Sequence, residues 1–156
     1  MERKDMIRLN LARAYEECLQ RKPESKITVR DITDACGMPR QMFYRFFSDK
    51  KSLIYWYHAF LVQDALIADD DFRWGNSIQA LMRMMQSHRR FYTKASRDCN
   101  DAVLLEILIR EIGLMYRNVI EFETGRPMSD ETAISLRIYC NGGVRYLYHW
   151  MQTGMK

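Results

Sequence analysis

Apolar positions recur at three- and four-residue intervals almost from end to end of the chain, the pattern of amphipathic helices rather than of strands. Residues 4–21 set Ile7, Leu11, Ala14 and Cys18 on one stripe with Leu9, Ala12 and Leu19 beside it, and Pro23 predicts the end of that helix. In "KITVRDITDAC", Thr28 stands three residues before Asp31, a variant of the capping-box spacing that predicts the start of a second helix. "GMP" follows: Gly37 suits a left-handed C-terminal cap, and Pro39 suits the first turn of a third, very short helix over about 39–46. Ser48 is placed to cap the next helix, which runs from Asp49 to about Ala68 and is apolar on most faces, as a central buried helix would be. "DDDFRWGN" breaks it. Further helices are expected at about 76–94, 101–122 and 129–152, separated by "SRDCN" and "ETGRPMS". With no repeat, low-complexity tract or convincing strand pair, the pattern predicts an all-α fold of about seven helices.

The short third helix raises the functional question. Phe43 and Phe47 lie four apart on one side, with Ile32 and Ala35 of the preceding helix as expected neighbours, and both read as core. Arg40, Gln41, Tyr44 and Arg45 point elsewhere. Two short helices joined by a glycine turn form the helix-turn-helix pattern, in which the first helix holds the second out from the core so that it can enter a major groove. Arginine offers a bidentate fork to guanine, glutamine can bridge adenine, and tyrosine or lysine can take a phosphate. A helical hairpin with an ordinary charged surface explains any one of these arginines. It does not explain the glycine turn, the capping residues and the basic exposed face together.

Charge and composition sharpen this reading. The net charge is only +4, yet residues 1–51 carry 12 Lys and Arg against 8 Asp and Glu, whereas residues 52–156 are balanced. A basic first third on a neutral body suggests a partner carrying phosphate. At 156 residues and 47% hydrophobic, the chain is one compact domain or a small module joined to a larger one, and needs no disulfide to hold a core. Its four cysteines (18, 36, 99 and 140) form no C-x-x-C pair, which suggests reduced thiols in a cytoplasmic protein. The histidines at 58, 88 and 149 share no ligand-like spacing, so neither a metal nor another cofactor is expected. Asp69 to Asp71 read as a solvated loop. No apolar leader core opens the chain, and no window reaches the roughly 18 apolar residues of a membrane span. Ser-His-Asp spacing, a phosphate-cradling glycine loop and H-E-x-x-H are all missing, so an enzyme is not expected.

At the same residues, "ITVRDITDACGMPRQMFYRFFSDKKSLI" resembles the signature of the TetR family of bacterial transcriptional regulators, over roughly residues 5–60. The resemblance implies a helix-turn-helix DNA-binding domain over 1–50 and a helical dimerisation and effector domain over 51–156. It also implies a homodimer on a palindromic double-stranded DNA operator. Position by position, Thr28, Tyr44 and Lys50 match the family's phosphate contacts, and Arg40, Gln41 and Arg45 its base-facing positions. Met42 stands where the family usually has a small hydroxyl residue, and Phe46 where it often has His or Tyr, so thymine-methyl or sugar contacts are expected there instead. The family implies a repressor released by a small-molecule effector. The chain is also similar to a subgroup of small regulators that includes dihydroxyacetone-kinase-associated activators, which implies the alternative of an activator or coactivator signalled by a partner protein.

Trp56, Tyr57, Phe60, Met82, Met85, His88, Tyr92 and Tyr116 are the candidate lining of an effector pocket, although aromatic and methionine stripes at helical spacing are more often plain core. In the last helix Ala133, Leu136, Cys140, Gly143, Leu147 and Trp150 form a stripe expected to meet a second copy of the chain. Gly142 and Gly143, which cost a helix about 1 kcal/mol each relative to alanine, would permit close approach.

Overall fold

The computed structural model describes residues 3–67, 74–95 and 101–155, and among these there is no strand. Seven α-helices are present: α1 (Arg3–Arg21), α2 (Val29–Ala35), α3 (Arg40–Tyr44), α4 (Lys50–Ile67), α5 (Trp74–Ser87), α6 (Asp101–Thr124) and α7 (Asp130–Gln152). A 3₁₀ turn at Glu24–Lys26 links α1 to α2, and a π-helical turn at Phe91–Ala95 follows α5. The expected break "DDDFRWGN" falls mostly, and "SRDCN" with Cys99 wholly, outside the described residues, as do Asp69 to Asp71.

Helix α4 is the spine. It packs against α1, α5 and α6, while α6 packs along α7 and α1 along α2. Its buried residues Leu53, Ile54, Tyr57, His58, Leu61, Val62 and Leu66 cover a broad arc of the cylinder, with Gln63 and Asp64 exposed beside it. On α1 the expected stripe is buried from Leu11 onward, with Ile7 half-buried, and is joined by Tyr15, whose ring meets Phe91 edge-on at 6.4 Å.

Several local expectations need correction. The N-terminus of α4 is capped by Asp49 rather than Ser48: Asp49 Oδ1 accepts from the Ser52 amide at 2.7 Å, and Ser52 Oγ accepts from the Asp49 amide at 3.2 Å. Pro39 is the residue before α3, with ψ 144°, and not part of its first turn. Ala35 is exposed and does not join Ile32 beneath the phenylalanines. The helix expected over 76–94 ends at Ser87, and the chain continues in a wider turn in which Lys94 Nζ donates to the Leu19 carbonyl at 2.8 Å and Arg89 to that of Gly154 at 3.2 Å. On α7, Leu136, Cys140, Leu147 and Trp150 are buried within the chain. A Cβ on Gly143 would sit 3.8 Å from Ile78 Cδ1 of α5, whereas one on Gly142 would meet open space. Most of the stripe is therefore intrachain core, while Ala133, half-buried, borders a groove between α6 and α7. The outward apolar residues of α7 are Ile134 and Ile138, 60% and 68% exposed.

A polar cluster fastens the first helices to the rest. Glu16 of α1 accepts from the Tyr57 hydroxyl at 2.8 Å and lies 3.1 Å from His88 Nδ1. Burial pushes the Glu16 carboxyl up, but these hydrogen bonds from His88 and Tyr57 outweigh it and hold the group below its ordinary value of 4.5. The folded chain thus binds this proton less tightly than the unfolded one. The stabilisation from Glu16 is complete above about pH 4.5 and drains away as pH falls through the lowered value. Thermal unfolding between pH 7 and 3 should show the midpoint falling below pH 4.5, with a shallower fall in Glu16→Gln. Identical slopes would remove Glu16 from the acid response.

Candidate nucleic-acid interface

The interface is built from the turn outward. Thr28 opens α2 with a reciprocal cap: its hydroxyl accepts from the Asp31 amide at 3.2 Å, and Asp31 Oδ2 accepts from the Thr28 amide at 2.7 Å and from its hydroxyl at 2.6 Å. Lys22 Nζ, 2.6 Å from the same carboxylate, and Thr28 hold Asp31 well below the usual carboxylate range. At the other end, Gly37 takes φ +65°, the Gly37 amide donates to Asp34 O at 3.3 Å, and the Met38 amide to Thr33 O at 2.9 Å. These are the paired bonds of a Schellman cap, and the left-handed residue between them is why a glycine stands there.

The chain leaves this cap into α3. Phe43 is fully buried and Phe47 nearly so, their ring centroids 5.7 Å apart, with Trp56 of α4 5.8 Å beyond Phe47. With that side against the core, Arg40, Gln41, Tyr44 and Arg45 are all exposed. Arg40 Nη2 donates to the Tyr44 hydroxyl at 3.0 Å, and its guanidinium carbon lies 5.4 Å from the Tyr44 ring centre. Met42 and Phe46 are half-buried, and the Arg8 guanidinium lies over the Phe46 ring at 5.7 Å and the Trp56 ring at 5.9 Å.

Lys50 departs from the picture of an ammonium reaching outward. Its Nζ lies 2.6 Å from Glu24 Oε1 and donates to the Glu24 and Ile27 carbonyls at 2.9 and 3.0 Å, so its N–H donors are all engaged within the chain. Thr28 likewise directs its hydroxyl proton to Asp31. Of the residues matched to phosphate contacts, only Tyr44 presents a hydroxyl whose own proton is directed at no neighbour.

Among the described residues the candidate effector side chains are not gathered round one cavity. Tyr57, Met85, Tyr92 and Tyr116 are buried, and their side chains fill the space they were expected to enclose. Tyr57 packs edge-on against Phe91 and His88. Tyr92 lies 3.0 Å from His58 Nδ1 and donates to Met84 Sδ at 3.3 Å. Trp56 and Phe60, stacked at 5.4 Å, border an open surface cleft of about 400 Å³ with Asp5, Gln63, Arg110 and Glu111. Met82 is half-buried against the core. Among the described residues no group of His, Cys, Asp and Glu could hold a metal ion, and no helix is long and apolar enough to cross a membrane.

Comparison with known proteins places this geometry. No family model matches the chain. Its sequence is 28% identical over 88 residues to the HTH-type dhaKLM operon transcriptional activator DhaS of Lactococcus lactis subsp. lactis (strain IL1403). That match takes in 54% of this chain and 46% of the relative, so the chain spans under half the length of the curated relative. The solved structure of a dihydroxyacetone kinase operon activator DhaS superposes with a TM-score of 0.72 at 19% identity, over 95% of this chain and 85% of that one. The chain shares the fold of that DhaS structure. A weaker likeness, TM-score 0.46 at 15% identity over 95% of this chain and 90% of the other, is to the TetR family repressor AlkX from Dietzia sp. strain DQ12-45-1b.

The residues that sequence reasoning did not find are the supports: Glu24, Lys22, Arg8 and Glu16. None carries a spacing signal, since Glu24 meets Lys50 across 26 positions and Glu16 meets His88 across 72. Removing the ammonium over the buried Glu24 carboxylate should be costly. Lys50→Met is expected to lower stability by about 2 kcal/mol in urea denaturation. A change below about 0.5 kcal/mol would show that the brace contributes nothing.

Proposed function

We propose that the chain is a DNA-binding transcription regulator whose α2–turn–α3 unit, within a DNA-binding domain over 1–50, places α3 in a major groove. The observation that carries this reading is the division of α3 and the turn after it between the buried Phe43 and Phe47 and the exposed Arg40, Gln41, Tyr44 and Arg45. Arg40, Gln41 and Arg45 face the bases and Tyr44 a phosphate, with Met42 and Phe46 supplying apolar contact at the flank. Thr28 and Lys50 act on DNA only by giving up an intrachain bond, and chiefly set the angle at which α3 is presented. In DNA enriched from a random pool by the chain itself, Arg40→Ala and Gln41→Ala should each weaken binding by about 1–3 kcal/mol, with much smaller losses on random DNA. Equal losses on both would make these residues backbone contacts, and failure to enrich any sequence would refute the reading.

One short helix covers too few base pairs to be selective, which favours a homodimer assembled through the region 51–156. A groove of about 700 Å³ between α6 and α7, lined by Gly113, Leu114 and Arg117 on one side and Ala133, Ile134 and Arg137 on the other, supports a second copy seated there. Leu114 and Ile134 are its exposed apolar residues, and Ile138, one turn beyond Ile134 on α7, extends the exposed apolar face beside it. Sedimentation at micromolar concentration should show a dimer, and Ile138→Glu a folded monomer that binds operator at least about tenfold more weakly. A monomeric wild-type chain that binds DNA normally would overturn the assembly.

As to the signal, the filled core around Tyr57, Met85 and Tyr92 favours activation or coactivation driven by a partner protein over a repressor released by an enclosed small molecule. The operon activator named among its relatives points the same way.

A further inference from the structure

Arg40 and Tyr44 do not stand as independent contacts on α3. Phe43, fully buried, meets the Tyr44 ring edge-on with centroids 5.5 Å apart and planes at 79°, so the exposed tyrosine is oriented by a residue that cannot move. Tyr44 in turn holds Arg40 twice, by the 3.0 Å hydrogen bond from Nη2 to its hydroxyl and by the ring lying 5.4 Å from the guanidinium carbon. A free arginine loses considerable rotamer freedom when it docks on a base edge. A latched one has lost part of it already, and the rest of its planar fork stays open for a bidentate contact.

We propose that Tyr44 is a positioning residue for Arg40: it pre-orients the guanidinium toward a guanine edge and thereby sets sequence selectivity, in addition to any phosphate contact of its own. The inference rests on the reading of α3 as the DNA-facing helix. The two roles are compatible in one side chain, because the Tyr44 oxygen accepts from Arg40 while its own proton can go to a phosphate oxygen. They differ in what they do to selectivity. A phosphate contact strengthens binding to every sequence alike, whereas a latch on a base-reading arginine strengthens only the sequences that arginine reads.

The test is a double-mutant cycle read as the ratio of affinities for pool-enriched and random DNA, using wild type, Tyr44→Phe, Arg40→Ala and the double variant, each checked for an unchanged thermal midpoint. Tyr44→Phe keeps the ring and removes the hydroxyl. It should lower the selectivity ratio about fivefold in the wild-type background, and leave the ratio unchanged once Arg40 is alanine. A tyrosine acting on phosphate alone would weaken both DNAs equally, and that result overturns the latch. An equal drop in selectivity in both backgrounds overturns it too, since Tyr44 would then read a base independently of Arg40. If Arg40→Ala leaves selectivity intact while Gln41→Ala destroys it, the latch falls and the DNA-facing reading of α3 stands. If the wild-type chain discriminates no sequence, both fall together.

Discussion

A helix of five residues cannot hold itself together in water, because its nucleation cost exceeds what so few hydrogen bonds return. Helix α3 exists only because Phe43 and Phe47 are taken out of solvent against α2 and α4, and most of what the first third of the chain does follows from that burial. With Phe43 and Phe47 committed to the core, Arg40, Gln41 and Tyr44 of α3 and Arg45 just after it face outward, while Met42 is half-buried. The reciprocal cap at Thr28, the left-handed Gly37 and the Lys50 brace on Glu24 surround this burial and set its angle.

The same dependence explains how the basic charge is distributed. Lys22 is held by Asp31 and Lys50 by Glu24, so part of the positive excess read from the first third is neutralised inside the fold and serves to join its elements. The charge left facing outward on α3 and at its C-terminal cap is that of Arg40 and Arg45. On the proposed reading, so few outward cations make recognition depend on geometry more than on bulk attraction, which gives the contact between Arg40 and Tyr44 its weight.

Much of this was legible in the sequence, and the remainder was hidden for physical reasons. Helices α1, α4, α6 and α7 were readable because each is long and buries a repeating face, and Thr28 and Gly37 because a cap and a left-handed turn each demand particular residue types. Asp49 and Ser48 are both competent caps, so only the backbone path could choose between them. The end of α5 at Ser87 was invisible because His88 and Lys94 are drawn away by Glu16 and Leu19, partners more than 70 positions distant. The α7 stripe was found correctly as apolar, but periodicity cannot tell whether such a face meets the chain's own α5 and α6 or a second copy. The effector residues pose the same ambiguity, since lining a cavity and filling it require the same amino acids.

The central claim is that buried phenylalanines present α3 to a major groove, twice, about a two-fold axis. Hydroxyl-radical footprinting of the chain on DNA that it has itself enriched tests this most directly. The account predicts two protected half-sites of inverted sequence with centres about one helical turn, roughly 34–36 Å, apart or a multiple of it. A single protected patch, or protection that does not depend on sequence, would contradict it.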